Sequence, residues 1–300
     1  MEMGEVISQA SAHDPEKCPF CPATKDEDFV SHPGAKATGT VLGKIMVAPD
    51  ELPSQQGGAR PKDGGEQRQA KSKAQPRPSP PLSHPEFGPY SYEAHHLIPG
   101  KQRLLKSEGD AKVMDGHSIE RWIRKGKAIK KDTGYSINNP DNGAWLASAP
   151  ENVKKLRGRT PERPWERDAH PSPHPDALTQ LEKNEIADFA MKTEGQFHYG
   201  KHAITDEEGS AESYPNVVSK RLTELDNRIV AWSKVCSLCE AKPSKPPYDP
   251  AWRVNEMLDL ISGWIRNEIQ LSSPASWTYF ISAHAMRRSQ ALKSKKIRSL

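Results

Sequence analysis

The chain has 300 residues, 27 of them proline and 20 glycine, with 34% hydrophobic residues and a net charge of +4. It carries no run of about 18 apolar residues, which excludes a membrane-spanning helix, and no secretory signal opens it. It is therefore expected to be soluble and to touch no membrane, with any export left to machinery that reads no cleavable signal.

Residues 1–50 read as a short ordered arm. Residues 51–85 are rich in Gly, Pro, Gln, Ser and Lys. Such a stretch buries too little apolar surface to offset ordering entropy, so it reads as a flexible linker. Order is expected to resume near Phe87. Residues 91–99 read as a short strand ending in His95-His96, closed by Pro99-Gly100. Residues 117–126 predict a short helix with Ile119, Trp122 and Ile123 on one side and basic residues opposite. Residues 134–148 read as a turn and then a strand, with Asn142-Gly143 as a tight-turn signal before Ala144-Trp145-Leu146. A second irregular stretch, 157–175, holds five prolines.

Four helices are predicted beyond it. Residues 176–192 offer Leu178, Leu181, Ile186 and Phe189 as a buried stripe. Residues 214–232 form a strong amphipathic pattern through Val218, Leu222, Leu225, Ile229 and Trp232. Another pattern covers 251–271 through Val254, Met257, Leu258, Ile261, Ile265 and Ile269, and a last one covers 275–294. The expected fold is α+β, mostly helical, with a small β-hairpin.

Charge is unevenly spread. Residues 101–131 carry ten Lys/Arg against four Asp/Glu, and residues 284–300 carry six Lys/Arg and no acid. Clustered positive charge suits a polyanion, because neutralised phosphates release counterions. A solubilising face is the bland alternative for the C-terminal run.

Hydrolysing a phosphodiester needs a base for water, a cation for the developing charge, and something to aim the base. Successive side chains on a strand point to opposite faces, so His95 and His96 can divide these tasks between a metal and the substrate. His198 and His202 are spaced i, i+4, which on a helix puts both on one face, a common metal-binding geometry. Asn142 lies between the pairs and can orient an imidazole or hold a loop. His13, His32, His84, His117, His170, His174 and His284 read as structural or surface histidines.

The segment Ala94-His95-His96-Leu97-Ile98-Pro99 resembles the signature of the AHH group of HNH/endonuclease VII-type nucleases. Residues 134–139 and 142–146, a glycine and asparagine turn before a short apolar strand, are similar to the family's second block. Phe197-His198-Tyr199-Gly200-Lys201-His202, followed by a helix with Tyr214, Val217 and Leu222, looks like the third. The resemblance implies a ββα-metal core with added helices. By it, His96 is the general base, His95 a metal ligand, Asn142 a positioner of the base or the loop, and His198 and His202 the rest of the metal site. It implies one divalent ion (Mg, Mn, Zn or Ni). Tyr199, Lys201 and Arg221 are candidate phosphate contacts, with a surface role as the alternative. Relatives often act as toxin domains of bacterial polymorphic or type VI systems. A cognate immunity protein and a secretion-apparatus component are the implied partners. The implied location is the producer's cytoplasm or a target cell.

The four cysteines form two x2-spaced pairs, Cys18/Cys21 and Cys236/Cys239, 214 residues apart. They can supply four thiolates to one structural zinc joining the N-terminal arm to the C-terminal region. Redox dithiols, disulfides and unrelated thiols are the alternatives. The expected organisation is 1–50 arm, 51–85 linker, 86–235 nuclease core with an insertion near 157–175, and 236–300 C-terminal basic helical region. The leading functional expectation is an endonuclease cutting DNA with little sequence preference. An RNase with the same site, or a non-catalytic zinc-stabilised nucleic-acid-binding or adaptor protein, is the alternative.

Overall fold

The computed structural model describes residues 31, 38–49, 73–100, 118–126, 128–150, 178–199, 212–235, 247–248, 253–270 and 273–298. These form a mostly helical α+β structure with three two-stranded sheets. The four cysteines, Lys201 and His202 lie outside the described residues.

Helix α1 (Gly39–Val47) starts at Thr38, whose hydroxyl accepts from Val41 N at 3.2 Å. Strands β1 (Ser83–His84) and β2 (Gly88–Pro89) make a small hairpin, and Gly88 supplies its left-handed φ of 77°. Before it, Gln75 donates to Pro140 O at 2.9 Å and accepts from Trp145 Nε1 at 2.9 Å. Strand β3 (Ser91–His96) pairs antiparallel with β4 (Gly143–Ser148), placing His95 opposite Ala144 and His96 opposite Gly143.

Helix α1 lies across this ribbon, with Leu42 and Met46 packed on Ala94 and Trp145. Gly143 is extended at φ −110°, so Asn142-Gly143 is not the tight turn expected of it. Helix α1 packs close here: a Cβ on Gly143 would lie 2.5 Å from Met46 Sδ, which would have to shift. The turn is a 3-10 segment, Pro140–Asn142, capped by Asn139.

The larger core joins a 3-10 helix, Ser118–Trp122, to helices α3 (Tyr214–Val235) and α4 (Val254–Gln270). Buried Asp226 of α3 accepts from Trp122 Nε1 at 2.8 Å and from Arg121 Nη2 at 2.9 Å, so it is paired at every turn. The smaller core packs helix α2 (Gln180–Ala190) against Phe197, Trp277 and Phe280. A capping box between Thr179 and Glu182 fixes the start of α2. The predicted stripe holds for Leu178 and Ile186, but Leu181 is 76% exposed. Five residues along a helix turn it by about 140° from the buried position, so Leu181 and Ile186 face apart.

The last predicted helix begins later than expected. Pro274–Ser276 is a 3-10 turn, and Tyr279–Phe280 is a strand, β6, parallel to β5 (Glu212–Ser213). Helix α5 then spans Ala283–Arg298. No helix among the described residues is long and apolar enough to cross a membrane.

Candidate functional site

Period-two alternation puts Glu93 and His95 on one face of β3 and Ala94 and His96 on the other. Buried His95 meets the His198 ring edge-on at 5.0 Å between centroids, and the Tyr214 ring at 5.4 Å. Glu93 Oε2 lies 2.9 Å from His198 Nδ1. That hydrogen bond holds the Glu93 carboxyl below its ordinary pKa, against the upward push of burial. Glu93 therefore stays anionic and fixes the His198 ring.

His198 stands on non-helical backbone, so the expected helical i, i+4 face does not exist at its first member. Its N–H donates to Ala147 O at 2.7 Å, laying residues 196–198 beside β4. Gln196 secures that segment, its N–H donating to Ile269 O at 2.7 Å and its Nε2 to Tyr279 O at 3.0 Å. Gly195 is obligatory, because a Cβ would sit 2.1 Å from Ile269 O.

On the other face, His96 Nε2 lies 2.9 Å from Asn138 Oδ1. An amide oxygen only accepts, so Nε2 carries the proton and Nδ1 holds the lone pair. Burial pushes the His96 pKa below the ordinary histidine value, and the Asn138 bond opposes this only in part. The ring is thus neutral near pH 7.

Asn142 hydrogen-bonds no histidine among the described residues. Its Oδ1 accepts from Ile98 N at 2.7 Å and from the Ser262 hydroxyl at 2.9 Å. Its Nδ2 donates to Ile98 O at 3.1 Å and Ile137 O at 2.9 Å, while its own carbonyl accepts from Leu97 N at 2.8 Å. Buried Tyr214 donates its hydroxyl to Leu97 O, clamping the same strand end from α3. Arg221 stacks 4.4 Å from the Trp264 ring and pairs with Glu224 at 3.1 Å.

The antiparallel pair β3/β4 thus presents two adjacent histidines at the end of β3. The model of AHH, a nuclease family of the HNH/ENDO VII superfamily with conserved AHH, matches residues 82–235, slightly more than half of the chain. The chain belongs to the AHH nuclease family. No curated protein and no solved structure matches it. The AHH match makes the protein a phosphodiester hydrolase acting on nucleic acid. Nucleases of this superfamily generally use a divalent metal. The His95 and His198 imidazoles suit a borderline cation as donors. Among the described residues no group of three or more His, Cys, Asp or Glu gathers where it could hold a metal ion.

Two residues that hydrogen-bond the candidate histidines were given no role in the sequence reading. Asn138 sat beside the noticed Asn142 in a run of asparagines, and Glu93 precedes the His-His pair by the two residues that share a strand face. Only the second had a usable signal, the strand period itself.

Proposed function

We propose that this nuclease hydrolyses DNA with little sequence preference, using His96 as general base and one divalent ion held by His95, His198 and His202. The observation that carries the reading is the hydrogen bond from His96 Nε2 to the Asn138 amide oxygen, which assigns the lone pair to Nδ1. Nδ1 removes a proton from the attacking water, and the Asn138 oxygen stabilises the imidazolium as it forms. Glu93 keeps the His198 ring oriented, as a carboxylate does behind a metal-binding histidine. A divalent ion held there would offset charge on the phosphate and leaving oxygen as a Lewis acid. Lys201 and Arg221 are the proposed phosphate contacts, which position the backbone without reading sequence.

Residues 86–235 are the proposed catalytic core. Cys18, Cys21, Cys236 and Cys239 are proposed to share one structural zinc, supported by their paired spacing. The proposed biological role is that of an antibacterial effector with a cognate immunity protein and a secretion partner. Its support is the resemblance to toxin nucleases.

The test is nicking of supercoiled plasmid by wild type and by His96→Ala, each with and without chelator. Chelation is expected to stop wild-type cleavage, and His96→Ala to slow it by about 10²–10⁴-fold. Near wild-type cleavage by His96→Ala overturns the base assignment. A parallel RNA substrate decides which polymer is preferred.

A further inference from the structure

Helix α4 lies beyond residues 82–235, which the nuclease family model covers. Nevertheless, one of its faces is bonded to the loop that carries both site asparagines. Asn255 Nδ2 donates to Thr133 O at 2.9 Å. Asp259 Oδ1 accepts from Asn139 Nδ2 at 2.7 Å. The Ser262 hydroxyl donates to Asn142 Oδ1 at 2.9 Å. Arg266 Nη2 donates to Asp141 O at 2.7 Å and Gly143 O at 3.0 Å. Gln270 Nε2 donates to Trp145 O at 2.8 Å.

Successive spacings of 4, 3, 4 and 4 residues place these five side chains along one helical stripe. Their partners run from Thr133 to Trp145, with Arg266 reaching Asp141 and Gly143 on either side of the Asn142 that Ser262 holds. Asn255 and Ser262 are buried, at 4% and 1% exposed. Simple attachment of a helix is served as well by apolar side chains, without the desolvation cost of polar ones. What a polar stripe adds is direction: each bond fixes one backbone or amide group of the loop at one place.

Two routes lead from the stripe to the histidines. Ser262 shares Asn142 Oδ1 with Ile98 N, and Asn142 O holds Leu97 N, immediately after His96. Asp259 holds Asn139, the chain neighbour of Asn138, whose amide meets His96. We propose that α4 is a positioning element of the nuclease, its polar stripe setting the loop that aims His96. The family-matched segment is then catalytically incomplete without it. This inference rests on the assignment of His96 as base.

The test uses the full chain carrying Ser262→Ala, Arg266→Ala, Asp259→Ala or Asp259→Asn, with His96→Ala in parallel. A small misplacement of a catalytic group costs up to about 10²-fold in rate. Ser262→Ala and Arg266→Ala are expected to lower kcat about 10–100-fold, with KM for plasmid within about twofold. Asp259→Asn, which keeps an acceptor oxygen, is expected to recover most of what Asp259→Ala loses. Amide exchange at Leu97 and Ile98 is expected to rise about tenfold in Ser262→Ala while exchange in α2 stays unchanged, a readout independent of cleavage. Unchanged exchange with wild-type kcat in Ser262→Ala and Arg266→Ala overturns the proposal, as does a change confined to KM. Should His96→Ala cleave like wild type, the base assignment falls and the positioning role with it. Should His96→Ala be inactive while the α4 variants keep wild-type kcat, the positioning role alone falls.

Discussion

Asn138 and Asn142 stand four residues apart and have different tasks. Asn142 is fully buried and spends both ends of its amide on the loop and strand end, with no bond to a histidine among the described residues. Deleting that amide leaves several buried donors and acceptors unmet at once. Each such group costs about 1–3 kcal/mol, so Asn142→Ala is expected to lower stability by about 3 kcal/mol in urea unfolding. Among the described residues the Asn138 amide oxygen bonds the His96 ring. Asn138→Ala leaves one partner, the His96 N–H, unmet, so it is expected to lose about 1 kcal/mol, less than Asn142→Ala, and to slow plasmid nicking by about tenfold. Equal stability losses in the two variants would contradict this division. The sequence offered Asn142 for either task, orienting a base or holding a loop. The choice depends on how residues 136–142 turn, which places Asn138 on a ring 42 positions earlier. Local pattern carries no trace of a contact made at that separation. The His95-His96 pair was legible because it rests on strand alternation, a property of the local chain.

At the scale of elements, helices α3 and α4 were legible because their apolar residues recur with the helical period over four or more turns. Strand β6 was not, since two residues give no period, and the stretch with buried Trp277, Tyr279 and Phe280 reads equally well as helix. The segment 195–198 was missed for a related reason: it has no regular structure and is held by long-range bonds to α4, β4 and β6. Gly195 is where that placement can be tested. The atoms a Cβ would meet are backbone, Ile269 O at 2.1 Å and Gln270 Cα at 2.5 Å, so no rotamer change relieves the clash. Gly195→Ala is expected to destabilise by about 1–3 kcal/mol, the range for overpacking, and to displace His198. Thermal melting and a divalent-metal titration of the same variant check both parts. A variant that melts with wild type rules out the close approach. One that melts low yet binds metal like wild type removes His198 from the ligand set.

At the scale of the whole molecule, the two cores carry buried groups that titrate in opposite senses. Asp259, beside the larger core, has its pKa raised to about 7, first by burial and then by the Asp141 and Glu256 charges, against Asn139 and Arg266. Its ordinary value is 3.8. Between about 4 and 7 the folded chain holds a proton that the unfolded chain has lost. Stability from this group is therefore full at low pH and falls as pH rises through 7. His284, on α5 in the smaller core, is pushed down to about 4 by burial, then by Arg287 and Lys183, with Asp188 opposing. Its ordinary value is 6.5. Between 6.5 and 4 the unfolded chain takes a proton that the fold refuses, so this contribution is full above 6.5 and falls as pH drops. Over the shared window the two slopes oppose each other. Asp259→Asn, which keeps an acceptor for Asn139, is expected to gain Tm over wild type as pH rises from 5 to 8. His284→Gln is expected to gain over wild type as pH falls from 7 to 4. Because the two groups belong to separate cores, the double variant's differences should equal the sum of the single ones at each pH. Melting curves of the four proteins across pH 4–8 measure all of this. A gain for Asp259→Asn that is largest at the acid end reverses the sign of the argument for the larger core. A His284→Gln difference that does not change with pH removes the smaller core's part.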